Sequence, residues 1–167
     1  MTTTTTTTGS GTTANTASAR PIRDLLEADH ARLEALLARV VLPDGGVDAE
    51  AFTAFRKDLA RHIGMEEKIL FPAVKAAVGD AEQATLARLR ADHGKLVAML
   101  VRSPTPERVA AIQALLAPHD ALEEGPEGVY ARCEAILAGD VHRIREALEH
   151  APEVPMRPAY DGPWPAR

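Results

Sequence analysis

The sequence predicts an all-α protein, a four-helix bundle, from its composition, from apolar residues at helical spacing between helix terminators, and from an internal repeat. Hydrophobic residues make up 46% of the 167 residues but aromatic residues only 4%. Alanine and leucine account for most of the hydrophobic share, which is typical of packed helices rather than β-sandwiches. A chain of this length has room for one domain with a genuine hydrophobic core.

The charge and the cysteine content exclude several classes of partner and compartment. A formal net charge of -5 lacks the positive surface that nucleic acids and anionic membranes attract, so we expect neither as a partner. Cys133 is the only cysteine, which rules out an intrachain disulfide. The sequence shows no apolar run of about 18 residues for a membrane span and no signal-like start. We therefore predict a cytoplasmic protein.

Helix terminators place the first two long helices. The first helix is predicted to open at Pro21, where a missing N–H costs nothing, and to run to about Val41. Asp48 is predicted to cap the second helix. That helix meets Pro72 and is expected to continue for about two more turns before Gly79 ends it.

The third and fourth helices have their own start signals. Asp80 and Gln83, three residues apart, predict a capping box at the start of the third helix, which runs to about residue 102. Thr105 is predicted to cap the fourth helix, with Pro106 at its first position. The fourth helix is expected to end near Glu124. Two shorter helices are predicted after it, Glu127 to Leu137 and Asp140 to His150.

The two ends of the chain differ from the centre in composition. The Thr-rich segment 1–19 is predicted to be disordered, and segment 20–150 is predicted to contain the bundle with its short C-terminal helix. Segment 151–167 is proline-rich and cannot form regular helix, although Tyr160 and Trp164 are candidates for pinning it to the surface.

An internal repeat divides the bundle into two helical hairpins. The segment Glu-Ala-Asp-His-x-x-Leu-x-x-Leu-Leu, which ends at Leu37, aligns without gaps with Arg-Ala-Asp-His-x-x-Leu-x-x-Met-Leu, which ends at Leu100. Each copy is followed, about one antiparallel helix later, by His-x-x-x-Glu-Glu. We therefore expect equivalent residues of the two copies to lie at equivalent depths in the bundle.

Six polar residues lie on the apolar, inward faces of these four helices, and they predict a metal site. A carboxylate buried without partners loses several kcal/mol of hydration, and no Lys or Arg lies on these faces between the first and last ligand turns to compensate it. Imidazoles do lie there, and four imidazoles with two carboxylates form a ligand set for cations. The six candidate ligands are His30, His62, Glu66, His93, His119 and Glu123.

The repeat suggests the simplest assignment of these ligands. One metal ion takes His30 and His62, and the other takes the two histidines of the second copy. A spacing of four in His-x-x-x-Glu puts both side chains on one helix face, so Glu66 and Glu123 can bridge the two ions.

This pattern resembles the ligand pattern of the hemerythrin family, the HHE cation-binding domain. The segment from His62 to Pro72, with its Glu-Glu and Leu-Phe-Pro, is especially similar, and the resemblance covers about residues 20–138. It implies an up-down-up-down antiparallel bundle holding two Fe ions joined by an oxo or hydroxo bridge. The ligand types leave Mn or Zn open as alternatives.

One departure from the family pattern bears on function. Oxygen-carrying hemerythrins have a second histidine four residues after the one that matches His93, and this chain has Val97 there. Each iron would then keep one vacancy in an octahedral shell, which argues against simple oxygen transport. The resemblance implies a protein that binds O2, NO or peroxide as a sensor or scavenger.

Two other functions stay open at this point. The first is a di-iron enzyme that breaks down peroxide or donates iron for the repair of iron centres, with catalytic residues undefined. The second is a metal-free structural bundle whose polar core fixes the register of the helices. The sequence identifies no protein partner.

Residues beside the candidate ligands are assigned simpler roles. Glu67 and Glu124 are predicted to lie on a solvated face, because one residue turns a helix by about 100°. Asp29 and Asp92 precede their histidines in both copies and are predicted to be surface residues rather than acceptors for the imidazoles. Tyr130 is predicted to be a core tyrosine, with an oxygen-ligand role only if its segment folds back over the site.

Overall fold

The computed structural model describes residues 21–163, and within that range the chain is helical, with an isolated antiparallel bridge between Val41 and Val47 as its only extended pairing. The helices are α1 (Ile22–Leu37), α2 (Ala49–Met65), a π-helix (Glu66–Leu70), α3 (Phe71–Val78), α4 (Gln83–Leu100), α5 (Pro106–Glu123), α6 (Val129–Ile136) and α7 (Val141–Glu149). The all-α prediction is confirmed for the described residues. None of these helices is both long enough and apolar enough to cross a membrane.

The first connection ends α1 earlier than predicted. The helix stops at Leu37, and the chain turns at Gly45, whose φ of 84° is a conformation that glycine adopts at little cost. The predicted cap of α2 is confirmed, because an Asp48 carboxylate oxygen accepts the N–H groups of Glu50 and Ala51 at 2.9 Å each. A carboxylate at this position also lies at the positive end of the helix dipole.

The start of α4 corrects a prediction, whereas the start of α5 confirms one. The expected capping box of Asp80 and Gln83 is wrong, because residues 79–82 form a turn and α4 begins only at Gln83, with no side-chain cap. A capping box requires its second residue to lie a turn inside the helix. At α5, the Thr105 hydroxyl accepts the Arg108 N–H at 3.2 Å, as predicted.

The hydrophobic core consists of two clusters with a polar layer between them. One cluster includes Leu26 and Leu89, and the other includes Leu33 and Leu96. On α1 and α4 the histidine of the Asp-His motif lies midway between those leucines in sequence, so both histidines occupy the layer between the clusters. Burial of each such leucine stabilises the fold by about 1.5–3 kcal/mol.

The C-terminal segment returns to the bundle. α6 packs against α1, α3 and α5, and residues 151–161 form no helix, as predicted. The Tyr160 backbone N–H donates to the Val101 carbonyl at 2.9 Å, which ties this tail to the end of α4. The predictions for segment 1–19 and for Trp164 lie outside the described residues.

Candidate metal centre

The structure brings all six predicted ligands into the polar layer. His30 comes from α1, and His62 comes from α2. Glu66 begins the π-helix, and His93 comes from α4. His119 and Glu123 come from α5. No candidate side chain is more than 7% exposed, and both glutamates are fully buried. Side chains from four helices and the π-helix therefore converge on one interior point.

The coordinating atoms of these residues face one another at short range. His30 Nε2 and His62 Nε2 lie 2.9 Å apart, and His93 Nε2 lies 3.1 Å from a Glu66 oxygen. On α5, His119 Nε2 lies 3.2 Å from a Glu123 oxygen. Two groups have ligand atoms that all lie within 4.8 Å of one another: Glu66, His93, His119 and Glu123, and a second of His30, Asp120 and Glu123.

In three of the four imidazoles, Nδ1, the ring nitrogen opposite the coordinating Nε2, lies within hydrogen-bond distance of a carboxylate. The pairs are His30 Nδ1 with Glu124 at 2.8 Å, His62 Nδ1 with Asp29 at 3.0 Å, and His93 Nδ1 with Glu67 at 2.9 Å. The predicted surface role of Asp29 is therefore wrong. Glu67 and Glu124 are partly exposed, at 35% and 40%, as predicted, but each also contacts an imidazole, which was not predicted. Asp92 differs, since its carboxylate accepts from Lys95 at 2.7 Å and lies 4.0 Å from His119 Nδ1.

These outer contacts were missed because the prediction considered each helix alone. A residue next to a ligand on its own helix faces away from that ligand, but it can face an imidazole of the neighbouring helix. Glu124 of the α5 end thus reaches His30 of α1, and Glu67 reaches His93 of α4. The usable signal was an acidic residue directly beside a ligand in both copies of the repeat.

The outer carboxylates decide which imidazole nitrogen carries the proton. A carboxylate only accepts, so Nδ1 is the donor and a neutral ring is left with a lone pair on Nε2. Burial lowers the pKa of His30, and burial lowers that of His119 to about 4, which keeps both rings neutral at pH 7. The lone pairs of His30 and His62 then face each other across 2.9 Å.

Two of the buried glutamate oxygens and two of the ring nitrogens in the layer lack any hydrogen bond. They are Glu66 Oε2, Glu123 Oε1, His93 Nε2 and His119 Nδ1, although Glu66 Oε2 lies only 3.1 Å from His93 Nε2. Burial, reinforced by the charge of Glu66, raises the pKa of Glu123 well above its ordinary value, because two ionised carboxylates cannot share the layer without a cation. Buried polar atoms that converge and lack hydrogen-bond partners fit a metal ion.

Tyr130 of α6 adds a sixth helical element to the layer. Its hydroxyl donates to a Glu66 oxygen at 2.6 Å and lies 3.1 Å from a Glu123 oxygen. It also lies 3.0 Å from His30 Nε2 and 3.3 Å from His62 Nε2. The prediction of a buried tyrosine is confirmed, but the simple core role is wrong, because α6 folds back over the site. No repeat or spacing pointed to this residue.

The π-helix lies directly at one candidate ligand. The Phe71 N–H donates to the Glu66 carbonyl, five residues back, which widens the helix by one residue per turn at the site. Pro72 follows and has no N–H to continue the α-helical pattern. The prediction that the helix continues past Pro72 and ends at Gly79 is confirmed, since α3 ends at Val78 with Gly79 as its C-cap, but the π-helix was not predicted.

A cavity of about 310 Å³ opens onto the layer. All four candidate histidines line it, and most of the remaining wall is leucine, isoleucine and alanine. Asp120 also lines it, and its Oδ1 atom is buried without a hydrogen-bond partner. A small, weakly polar molecule can therefore reach the Nε2 side of the imidazoles.

Comparison with protein families gives a match over most of the chain. A family model described as the hemerythrin HHE cation binding domain matches residues 22–148, a span that contains all six candidate ligands and Tyr130. No curated protein and no solved structure showed a significant match. With most of its length matched, the chain belongs to the hemerythrin HHE cation-binding domain family.

Proposed function

We propose that this protein is a cytoplasmic, non-haem di-iron protein that binds O2, NO or peroxide at a carboxylate-bridged iron pair, as a sensor or scavenger. The four long helices would follow the up-down-up-down order of the family. The observation that carries the proposal is the cluster of buried imidazole nitrogens and carboxylate oxygens that face one another, several of them without any hydrogen-bond partner. Cations are what such a set binds most strongly.

The position of each glutamate supports a bridging role. Glu66 Oε2 lies 3.1 Å from His93 Nε2 and 3.7 Å from His62 Nε2. Glu123 Oε2 lies 3.2 Å from His119 Nε2 and 3.6 Å from His30 Nε2. Each carboxylate therefore contacts one histidine of each proposed ion.

Tyr130 makes the two proposed iron positions unequal. Its oxygen lies beside the His30 and His62 nitrogens, so we assign it as an additional oxygen ligand on that side. The other ion, held by His93 and His119, keeps the more open shell. The exposed position of Val97, at 43%, supports the absence of a further ligand on α4.

Iron at this site would supply Lewis acidity and one-electron redox chemistry. The residues of the chain do the rest. The outer carboxylates hold three imidazoles with Nε2 turned inward, and the apolar wall of the cavity favours small ligands of low polarity over ions. O2 and NO meet that requirement, and hydrogen peroxide, although polar, is small and uncharged.

The test is metal analysis followed by ligand binding. We expect about two irons per purified chain, an oxo-to-iron absorption band, and a spectral change when NO is added to the reduced protein. His93→Ala should lose metal, whereas the exposed His142→Ala is the matched control and should keep it. A chain without metal after iron loading would instead indicate the purely structural bundle.

Asp120 favours a second candidate function, an enzyme that breaks down peroxide. Its unpaired carboxyl oxygen lines the cavity beside the candidate ligands, where a group that moves protons would be needed. Steady-state peroxide decomposition by the iron-loaded protein would support this function. An Asp120→Asn variant that keeps the metal but decomposes peroxide more slowly would favour the enzyme. Wild-type protein that shows no peroxide turnover would favour the sensor or scavenger. Donation of iron for the repair of iron centres remains an untested alternative.

A further inference from the structure

A second and larger cavity lies between the helices and the C-terminal tail. It has a volume of about 750 Å³, which is within the usual range of small-molecule sites. α2 and α4 form one wall, and the tail segment 154–160 forms the other. Most of its lining is apolar, including Ile63, Val97, Leu100 and Met156.

Arg56 places an uncompensated positive charge at this cavity. Its side chain is only 7% exposed, and its single hydrogen bond in the described residues runs from Nη2 to the Arg157 carbonyl at 3.2 Å. Its Nε atom is buried without a partner, and no carboxylate within residues 21–163 pairs with it. A buried guanidinium in this state is costly unless an anion joins it.

The other charged residues around the cavity also favour an anion. Lys68 and Arg157 line it, and Glu67 is the one acidic residue in the lining. The Glu67 carboxylate already accepts from His93 Nδ1 at 2.9 Å. This local positive charge contrasts with the net charge of -5 of the whole chain.

We propose that the cavity binds a single-chain amphiphile with a carboxylate head, that is, a fatty acid. The carboxylate would pair with the Arg56 guanidinium, whose planar fork matches two carboxylate oxygens. The acyl chain would lie along Val97, Leu100 and Met156, under the tail. This inference concerns a site outside the six candidate ligands and stands or falls independently of the proposed function.

Calorimetry on the iron-loaded, full-length protein tests the proposal. We expect dodecanoate to bind below its micelle concentration and dodecan-1-ol, which lacks the charge, to bind at least about tenfold more weakly. Arg56→Met should weaken dodecanoate binding by a similar factor, and Arg56→Lys should restore part of it. Lys57→Met is the matched control, because it removes a tail contact to Glu153 without touching the cavity, and should bind as wild type does.

A second variant covers the case in which Arg56→Met does not fold. A Cβ atom at Gly64 would meet nothing within 4 Å, and Gly64 lines the cavity. Gly64→Leu therefore keeps the helix, which leucine favours over glycine, and fills the space meant for the acyl chain. We expect it to weaken dodecanoate binding at least about tenfold, since several buried CH2 groups lose their contacts.

Three outcomes would overturn the proposal. In the first, dodecan-1-ol matches dodecanoate in affinity, which would show that the charge plays no part. In the second, dodecanoate does not bind below its micelle concentration, which is expected if the groove binds a peptide instead. Finally, equal binding by wild type and both variants, accompanied by a change in the visible spectrum, would assign the carboxylate to the iron instead.

Discussion

The two halves of the candidate metal centre come from a repeated sequence but differ in their surroundings. In the first half, His62 Nδ1 lies 3.0 Å from Asp29. In the second half, the equivalent distance from His119 Nδ1 to Asp92 is 4.0 Å, too long for a hydrogen bond. The repeat thus reproduces the residue types of the site without reproducing every contact.

The two halves differ more strongly in the segment that follows each bridging glutamate. After Glu66 the helix continues as a π-helix into α3, whereas after Glu123 the helix ends. Gly125, with φ of 82°, turns the chain toward α6. That turn brings the Tyr130 hydroxyl beside the two histidines of the first half, whereas no contact in the described residues joins it to a histidine of the second half. Asymmetry in this family member therefore arises from segments outside the repeat.

The largest expected effect tests whether the two glutamates are equivalent. Glu66→Gln and Glu123→Gln keep the size of the side chain but remove a buried negative charge. Removing one partner of a buried ion pair costs about 3–5 kcal/mol, so we expect metal affinity to fall by about 100-fold or more in both variants. Metal content after dialysis against a chelator measures it.

The exposed Glu146→Gln is the control for this change and should keep its metal. If one glutamine variant retains a single tightly bound ion per chain while the other retains none, the two carboxylates are not both bridges. The assignment of Glu66 and Glu123 as two equivalent bridges would then be wrong.

Tyr130→Phe tests the asymmetry of the two halves. If the phenol oxygen is an iron ligand, the iron(III) protein should have a tyrosinate-to-iron absorption band, and the variant should lose that band. We also expect about tenfold weaker binding of one ion, because the hydroxyl contacts both bridging candidates and two histidines. Tyr160→Phe is the matched control, since Tyr160 is 47% exposed and lies in the tail. An unchanged spectrum in Tyr130→Phe would remove Tyr130 from the ligand set.

The two aspartates of the repeat provide a smaller, paired test. Asp29→Ala removes the acceptor that orients His62, and loss of such an outer contact lowers metal affinity by about 10–100-fold. Asp92→Ala should have a weaker effect, because Asp92 does not reach hydrogen-bond distance of His119. Competition with a chromophoric chelator gives both affinities. Arg32→Ala is the control, as it removes an exposed ion pair of Asp29 but leaves His62 in place.

Most residues of the candidate metal centre could be predicted, because apolar helix faces and the internal repeat can both be read directly from the sequence. A histidine on an apolar helix face, such as His93, must lie inside, and its counterpart in the other copy must lie at the same depth. The outer carboxylates were missed because they act between helices. Tyr130 was predicted only as a conditional oxygen ligand, because its position depends on a turn at Gly125 that no periodicity encodes.

Helix boundaries were predictable where one side chain controls them. Asp48 and Thr105 were identified correctly, since a cap acts within three residues. The start of α4 was not, because the turn over 79–82 uses backbone contacts such as the Gln83 N–H to the Asp80 carbonyl at 3.0 Å. Local side-chain signals cannot distinguish that turn from a first helical turn.

The smallest expected effect compares the helices that carry the two His-x-x-x-Glu motifs. Asp48 accepts two N–H groups at 2.9 Å, whereas Thr105 accepts one at 3.2 Å. We expect Asp48→Ala to lower the free energy of unfolding by about 1–2 kcal/mol and Thr105→Ala by about 0.5–1 kcal/mol. Asp80→Ala should leave it almost unchanged, because its side chain caps no helix. Urea unfolding at equal metal loading measures all three, and a cost for Asp80→Ala as large as that for Asp48→Ala would show that α4 begins at the turn after all.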